Sequence, residues 1–156
     1  MRDLFQEQLK ELNRELTVMG SACEEILAMS AQSLTDYSED LARKVSVIGS
    51  QIDEGYRTIE NICLRLLLRQ QPVAGDLRVI SAAMKMITDM ERIGDQTEDI
   101  VEIVPHIAVY QDEKFHTIRD MAKETQVMVT EAVEAYVGQD LDLARKVIWA
   151  LPTTGT

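Results

Sequence analysis

The chain has 156 residues, 46% hydrophobic and 28% charged, a balance typical of a globular domain with its own core. Its 27 acidic and 16 basic residues give a net charge of −11, which repels phosphate backbones and argues against a nucleic-acid partner. No apolar run approaches the roughly 20 residues that cross a bilayer. The opening MRDLFQEQLKEL also lacks the apolar region of a secretory signal. We therefore expect a cytoplasmic protein without membrane insertion.

Two long helices are predicted in the first half of the chain. Apolar residues recur at helical spacing over residues 5–34 and again over 41–66. The SED segment at residues 38–40 is typical of an N-cap followed by an acidic first turn. Pro72 disfavours helix at the residue before it, so the second helix should end near Gln70.

Three further helices are predicted in the second half. The third begins at Asp76 or a neighbour and ends at Pro105, and the fourth runs from a cap at Asp112 to Gly138. The fifth covers about residues 141–150. The main apolar stripe of the third helix is predicted to comprise Val79, Ala83, Met86, Met90, Ile93, Ile100 and Val104.

One short segment of the chain occurs twice. The hexapeptide DLARKV occurs at residues 40–45 and again at 142–147, and each copy follows a helix-breaking link and opens a helix. Matching sequence in matching context favours a duplication. We therefore predict an all-α fold, with an antiparallel three-helix bundle over residues 1–105 and a partial second repeat over 106–156.

The candidate site is the segment MERIGDQTED at residues 90–99. Glu91, Asp95 and Glu98 continue an arc of the third helix that is apolar upstream. Carboxylates at i and i+4 share one face and repel each other, and hard cations prefer such oxygen ligands. An antiparallel second helix would bring Asp53 near this pair. The alternative from spacing alone is a solvated acidic helix end.

No catalytic constellation stands out. His106 and His116 lie in or near a loop without a clear partner, and no Gly-rich phosphate loop occurs. A diiron enzyme of the ferritin type would need Glu-x-x-His motifs, which the sequence lacks. Cys23 and Cys63 have no CxxC spacing and are predicted to be buried free thiols. We therefore expect a protein that is not an enzyme.

Two motifs carry a resemblance to a known family. QQPVAGDLRVI at residues 70–80, followed further along the same predicted helix by MERIGDQTEDI at 90–100, resembles the PhoU family, the phosphate-uptake regulators of bacteria. The opening RDLFQEQLKELNRELTVMG and the DLARKV segment are also similar, so the resemblance covers about residues 2–148. It implies two similar three-helix bundles. Family members continue through a complete second bundle, whereas this chain turns to WALPTTGT, so we expect a shortened second repeat.

The resemblance also implies metal binding by Glu/Asp-x-x-x-Asp motifs on the second and third helices. The third-helix motif is intact as Glu91 and Asp95. The second-helix motif normally begins with an acid where this chain has Gly49, and it ends at Asp53. The expected ligands are therefore Glu91, Asp95 and Asp53, the expected ion is iron, zinc, manganese or magnesium, and no organic cofactor is expected.

The function implied by the resemblance is negative regulation of the phosphate-starvation response and modulation of high-affinity phosphate transport. The implied partners are a phosphate-sensing histidine kinase and the ATPase of the phosphate transporter. A homodimer is expected as well, because helices four and five should expose apolar residues. These exposed residues are predicted to include Phe115, Ile118, Val129 and Tyr136. The alternative is a metal-free helical scaffold without a phosphate role.

Overall fold

The computed structural model describes residues 2–69, 72–107 and 114–150. This part of the chain is helical with short turns and contains no strand, so the all-α prediction is confirmed. The five helices are α1 (Arg2–Ser33), α2 (Glu39–Arg69), α3 (Ala74–Ile107), α4 (Lys114–Val137) and α5 (Leu141–Ala150).

Most helix boundaries follow the local signals in the sequence. The backbone N–H of Leu41 donates to Ser38 Oγ at 3.0 Å, which is the predicted N-cap of α2. In the second half of the chain, α4 ends at Val137, one residue before Gly138. The left-handed residue of that turn is not the glycine but Gln139, with φ of 51°.

The predicted end of α3 at Pro105 is wrong, because the helix continues to Ile107. Proline removes one backbone hydrogen bond from the last turn, but buried Val101 and Val104 anchor that turn in the core. His106 therefore lies in the last turn of α3 rather than in a loop. His116 likewise lies in the first turn of α4, and the predicted cap Asp112 falls outside the described residues.

Helix α1 is the central element of the packing, since it contacts α2, α3 and α4. An ion pair of 3.9 Å joins Glu11 of α1 to Arg65 near the end of α2, as antiparallel packing requires. The Cys23 thiol donates to the Met90 carbonyl of α3 at 3.6 Å.

Cys23 and Cys63 are buried free thiols, as predicted. Burial raises the pKa of Cys23 to about 12 and that of Cys63 to about 11, so both thiols are poor nucleophiles.

The inward face of α3 differs from the predicted stripe. Ile100, predicted to point inward, is 43% exposed, whereas Ile80 and Ile87 are buried. The buried positions repeat every three and four residues, the pattern that keeps one helix face against its neighbours over a long distance. They are Ile80, Ala83, Ile87, Met90, Gly94, Thr97, Val101 and Val104. Glycine and threonine hold two of these inward positions, which a search for large apolar residues overlooks.

Helix α4 packs antiparallel along α1, and one contact between them joins residues separated by the offset of the predicted repeat. Gln126 Nε2 donates to the Glu24 carbonyl at 3.0 Å, and these two residues are 102 positions apart. The same offset separates the two DLARKV segments. It also relates the two caps, because the Leu143 N–H donates to Asp140 Oδ1 at 3.0 Å, as Leu41 does to Ser38. Glu24 and Gln126, which the predicted repeat would make equivalent, therefore meet at one point of the α1–α4 seam.

Of the four apolar residues predicted to be exposed on the C-terminal helices, Ile118 is exposed and Phe115 is half-buried. Val129 is buried, and the Tyr136 hydroxyl donates to the Val79 carbonyl of α3 at 2.8 Å. Helix α5 packs on α4 alone among the described helices and has no fully buried residue. The exposed apolar side chains of α4 and α5 include Ile118, Met121, Val127, Leu141, Ile148 and Trp149. No helix of the described segments combines the length and apolarity needed to cross a bilayer.

Candidate carboxylate site

Two glycines bring α2 and α3 close together where the candidate site lies. Gly94 is buried in α3, and a Cβ atom there would lie 3.2 Å and 3.3 Å from the Cδ1 and Cγ2 atoms of Ile52. Ile52 is fully buried on α2, so the two backbones approach each other with little spare room. The acidic segment of α3 is thereby placed directly beside α2.

Glu98 of α3 occupies the space that a side chain at Gly49 of α2 would fill. A Cβ atom built at Gly49 would lie 1.4 Å from Glu98 Oε1 and 2.4 Å from its Cδ. Any residue other than glycine at position 49 would therefore displace the Glu98 carboxylate. The absent acid of the second-helix motif is thus matched by an acid that reaches across from the third helix.

The carboxylates around this point share one electrostatic environment. Partial burial, followed by the charges of Asp53 and Asp95, raises the pKa of Glu91, although Arg57 opposes the shift. Partial burial and the same two carboxylates also raise the pKa of Glu98. Acids from two helices therefore repel one another at short range, and a bound cation would relieve that repulsion.

The structure places the three predicted ligands on adjoining helices at this patch. Glu91 and Asp53 are half-buried, whereas Asp95 is exposed. The donor chemistry suits a hard cation, since every group is a carboxylate. Nevertheless, within residues 2–69, 72–107 and 114–150, no three acidic, histidine or cysteine side chains converge to hold a metal ion. Metal binding here would require the carboxylates to move together.

Spacing alone missed the role of Glu98. The sequence places it on the acidic arc with Glu91 and Asp95, but nothing in that arc indicates that it fills the Gly49 position. One signal was present, because a glycine on the flank of an otherwise apolar helix face often marks a close approach by a neighbour. The partner of that approach depends on the register of α2 against α3, which spacing within one helix does not give.

Comparison with known proteins identifies the fold and the family. The model of the PhoU domain family matches residues 16–104. A crystal structure of PhoU from Pseudomonas aeruginosa superimposes with a TM-score of 0.83 and 31% identity, covering 91% of this chain and 69% of that one. The helical bundle described above is therefore a fold that this family uses.

Sequence relatives agree with the structural match. A phosphate-specific transport system accessory protein PhoU homolog of Clostridium acetobutylicum is 34% identical over 151 residues, covering 94% of this chain and 68% of its own length. The homologs of Pseudomonas aeruginosa and Synechocystis are 32% and 35% identical over 92% and 85% of this chain. The chain spans 60% and 59% of the lengths of these last two relatives. These relatives are named as transport accessory proteins, not as enzymes. The chain belongs to the PhoU family.

Proposed function

We propose that this chain is a cytoplasmic negative regulator of the phosphate-starvation response that also modulates high-affinity phosphate transport. The observation that carries the proposal is the match along most of the chain to relatives named as phosphate-transport accessory proteins. The chain acts through protein contacts, with a phosphate-sensing histidine kinase and the transporter ATPase as its partners. Long helices with exposed acidic faces suit such docking, because charge complementarity directs association.

The regulatory proposal is tested by deleting the gene from its own host. The deletion should leave phosphatase expression high in phosphate-rich medium, and a plasmid copy of this chain should restore repression. Normal repression in the deletion strain would overturn the proposal. If the plasmid copy is present at normal protein levels and phosphatase expression stays high, the proposal is overturned for this 156-residue chain.

The metal proposal concerns the carboxylate site. Glu91 and Asp95 of α3, with Asp53 of α2, would hold a single divalent or trivalent metal ion such as iron, zinc, manganese or magnesium. When bound, the ion would neutralise carboxylates at a point where partial burial, and then mutual repulsion, raise the pKa of Glu91. The half-buried Asp53 and Glu91 belong to different helices, so binding would tie α2 to α3.

A metal-free helical scaffold is the second candidate function, and two observations favour it. The Glu98 carboxylate fills the Gly49 space, and no three ligands converge in the described residues.

Elemental analysis of protein purified without chelator distinguishes the two candidates. Stoichiometric metal that is lost in the Glu91→Ala/Asp95→Ala variant supports the metal site. The Asp120→Ala/Glu124→Ala variant is the matched control, because it removes an exposed acid pair of the same spacing on α4. Equal metal content in all three proteins, or none in any, favours the scaffold.

Self-association is the remaining part of the proposal. Leu141, Ile148 and Trp149 of α5 are 71%, 62% and 74% exposed, and α5 packs only on α4 among the described helices. Exposed apolar surface of this kind favours association. The chain forms a homodimer that covers this face of α4 and α5.

A further inference from the structure

A second polar site lies at one end of the α1–α4 seam. A cavity of about 410 Å³ opens there between the end of α1 and the first turns of α4. Helix α1 and the turn after it contribute two alanines and two polar residues to the lining, and α4 contributes four charged or titratable residues. The side chains that carry the chemistry are Gln32, Thr35, His116, Arg119, Asp120 and Lys123.

The charge of this pocket is opposite to that of the whole chain. Arg119 and Lys123 line it with a single carboxylate, Asp120, so its formal charge is positive even when His116 is neutral. Among the described residues, neither cation forms an ion pair. The net charge of −11 does not prevent anion binding here, because salt screens charges beyond about 10 Å at 0.1 M.

Arg119 carries a donor that the described part of the chain does not satisfy. One terminal nitrogen of its guanidinium donates to His116 Nδ1, and both residues line the pocket. Its Nε is shut off from solvent and has no hydrogen-bond partner among the described residues. A buried donor without a partner is costly, so rotation of the side chain towards an acceptor in the pocket is favourable. Nε and a terminal nitrogen together form the fork that binds two oxygens of one anion.

We propose that this pocket binds a compact oxyanion of the phosphate type. Arg119 holds two of its oxygens, Lys123 supplies a second positive charge, and the Gln32 amide and Thr35 hydroxyl are further donors in the lining. The Thr35 hydroxyl now donates to the Gln32 carbonyl at 3.2 Å and can turn to the ligand. The site rests on this pocket alone and stands whether or not the proposed regulatory role holds.

Isothermal titration calorimetry with inorganic phosphate tests the site. Three variants are expected to weaken, tighten or leave unchanged the affinity for phosphate. Arg119→Gln should weaken binding about tenfold or more, because it removes the bidentate contact. Asp120→Asn should tighten binding, because it removes the one negative charge of the pocket. Lys85→Gln, an exposed cation on α3, should leave the affinity unchanged. Circular dichroism confirms that the variants fold.

The outcomes that overturn the proposal are distinct from a folding defect. Unsaturable heats for the wild type would exclude free phosphate as the ligand. Equal affinities of the wild type and Arg119→Gln, or weaker binding by Asp120→Asn, would exclude the site. The effect of a Lys123 substitution on phosphate binding would be harder to interpret, because Lys123 also lines the adjoining cavity with Glu24, Glu131 and Glu134.

The phosphate group could belong to a free ion or to a lipid headgroup. Co-sedimentation with phosphatidylglycerol vesicles and with phosphatidylcholine vesicles separates the two sources. Binding of free phosphate without vesicle binding identifies the ion as the ligand. Vesicle binding that is lost in Arg119→Gln and not displaced by phosphate identifies the headgroup. Absence of both kinds of binding overturns the proposal.

Discussion

Gly49 and Gly94 lie on facing helices, yet substitution should have opposite effects at the two positions. An alanine Cβ at Gly94 would press on Ile52, whose nearest atoms are 3.2 Å and 3.3 Å away in the closed core. At Gly49 the obstacle is the far end of Glu98, which can swing into solvent. We expect Gly94→Ala to lower the free energy of unfolding by about 1 kcal/mol through overpacking. Gly49→Ala should raise it by about 0.5 kcal/mol through helix propensity.

Urea unfolding of the two glycine variants measures this difference. A Gly49→Ala/Glu98→Ala double variant is the control, because it adds the methyl group after the obstructing carboxylate has been removed. Destabilisation of Gly49→Ala that disappears in the double variant would mean that Glu98 is held in the Gly49 space more firmly than its flexible side chain implies.

Glu98 itself should make stability depend on pH in a direction opposite to that of a paired acid. Its pKa is raised in the folded state by burial and by neighbouring carboxylates, so ionisation is less favourable there than in the unfolded chain. The resulting destabilisation is present at neutral pH and disappears as the pH falls below the raised pKa towards its ordinary range. Glu98→Gln should therefore stabilise the protein at neutral pH, and this gain should shrink in acid.

The pH dependence is checked by unfolding the wild type and Glu98→Gln in urea at several pH values. Glu102→Gln, an exposed acid one turn further along α3, is the matched control and should show no such trend. A stability gain of equal size at neutral and acidic pH would show that Glu98→Gln acts through packing rather than through charge.

At the scale of the helix, two equivalent caps offer a comparison within one molecule. Ser38 caps α2, which is packed on α1 and α3, whereas Asp140 caps α5, which contacts only α4. Ser38→Ala should lower the free energy of unfolding by about 1 kcal/mol. Asp140→Ala should leave global unfolding nearly unchanged but accelerate hydrogen exchange at the amides of α5, because that helix can fray separately. Equal global effects of the two variants would show that α5 unfolds with the core.

The sequence predicts helices better than it predicts their rotation. Pro72, Ser38 and Gly138 act through neighbouring residues, so the helix ends near them were predictable. The inward face of α3 was not, because Gly94 and Thr97 occupy core positions that depend on Ile52 and other residues distant in sequence. The acidic arc of α3 was predictable because it depends on spacing within one helix. The position of Glu98 against Gly49 was not, because it depends on how α3 is aligned with α2.

At the scale of the whole molecule, the repeated DLARKV segment predicts that α4 and α5 correspond to α1 and α2, and the burial of the two helix pairs can be compared on that basis. In the first copy, Leu41 and Val45 of α2 are 8% and 1% exposed because α2 packs against both α1 and α3. Their equivalents Leu143 and Val147 are only half-buried, since α5 has α4 as its one described neighbour. The open side of this helix pair is the surface that the proposed dimer would cover.

Light scattering over a range of protein concentrations should therefore show a dimer at micromolar concentration. Leu141 and Ile148 are seven residues apart, so they share one face of α5, and Leu141→Ser/Ile148→Ser should shift the equilibrium to monomer. Val18→Ser is the matched control, because Val18 is 60% exposed on α1, away from this face. Trp149 is the single tryptophan and is 74% exposed, so its emission should move to shorter wavelength as the dimer forms. A monomer at every concentration, with Trp149 emission unchanged, would exclude self-association through α5.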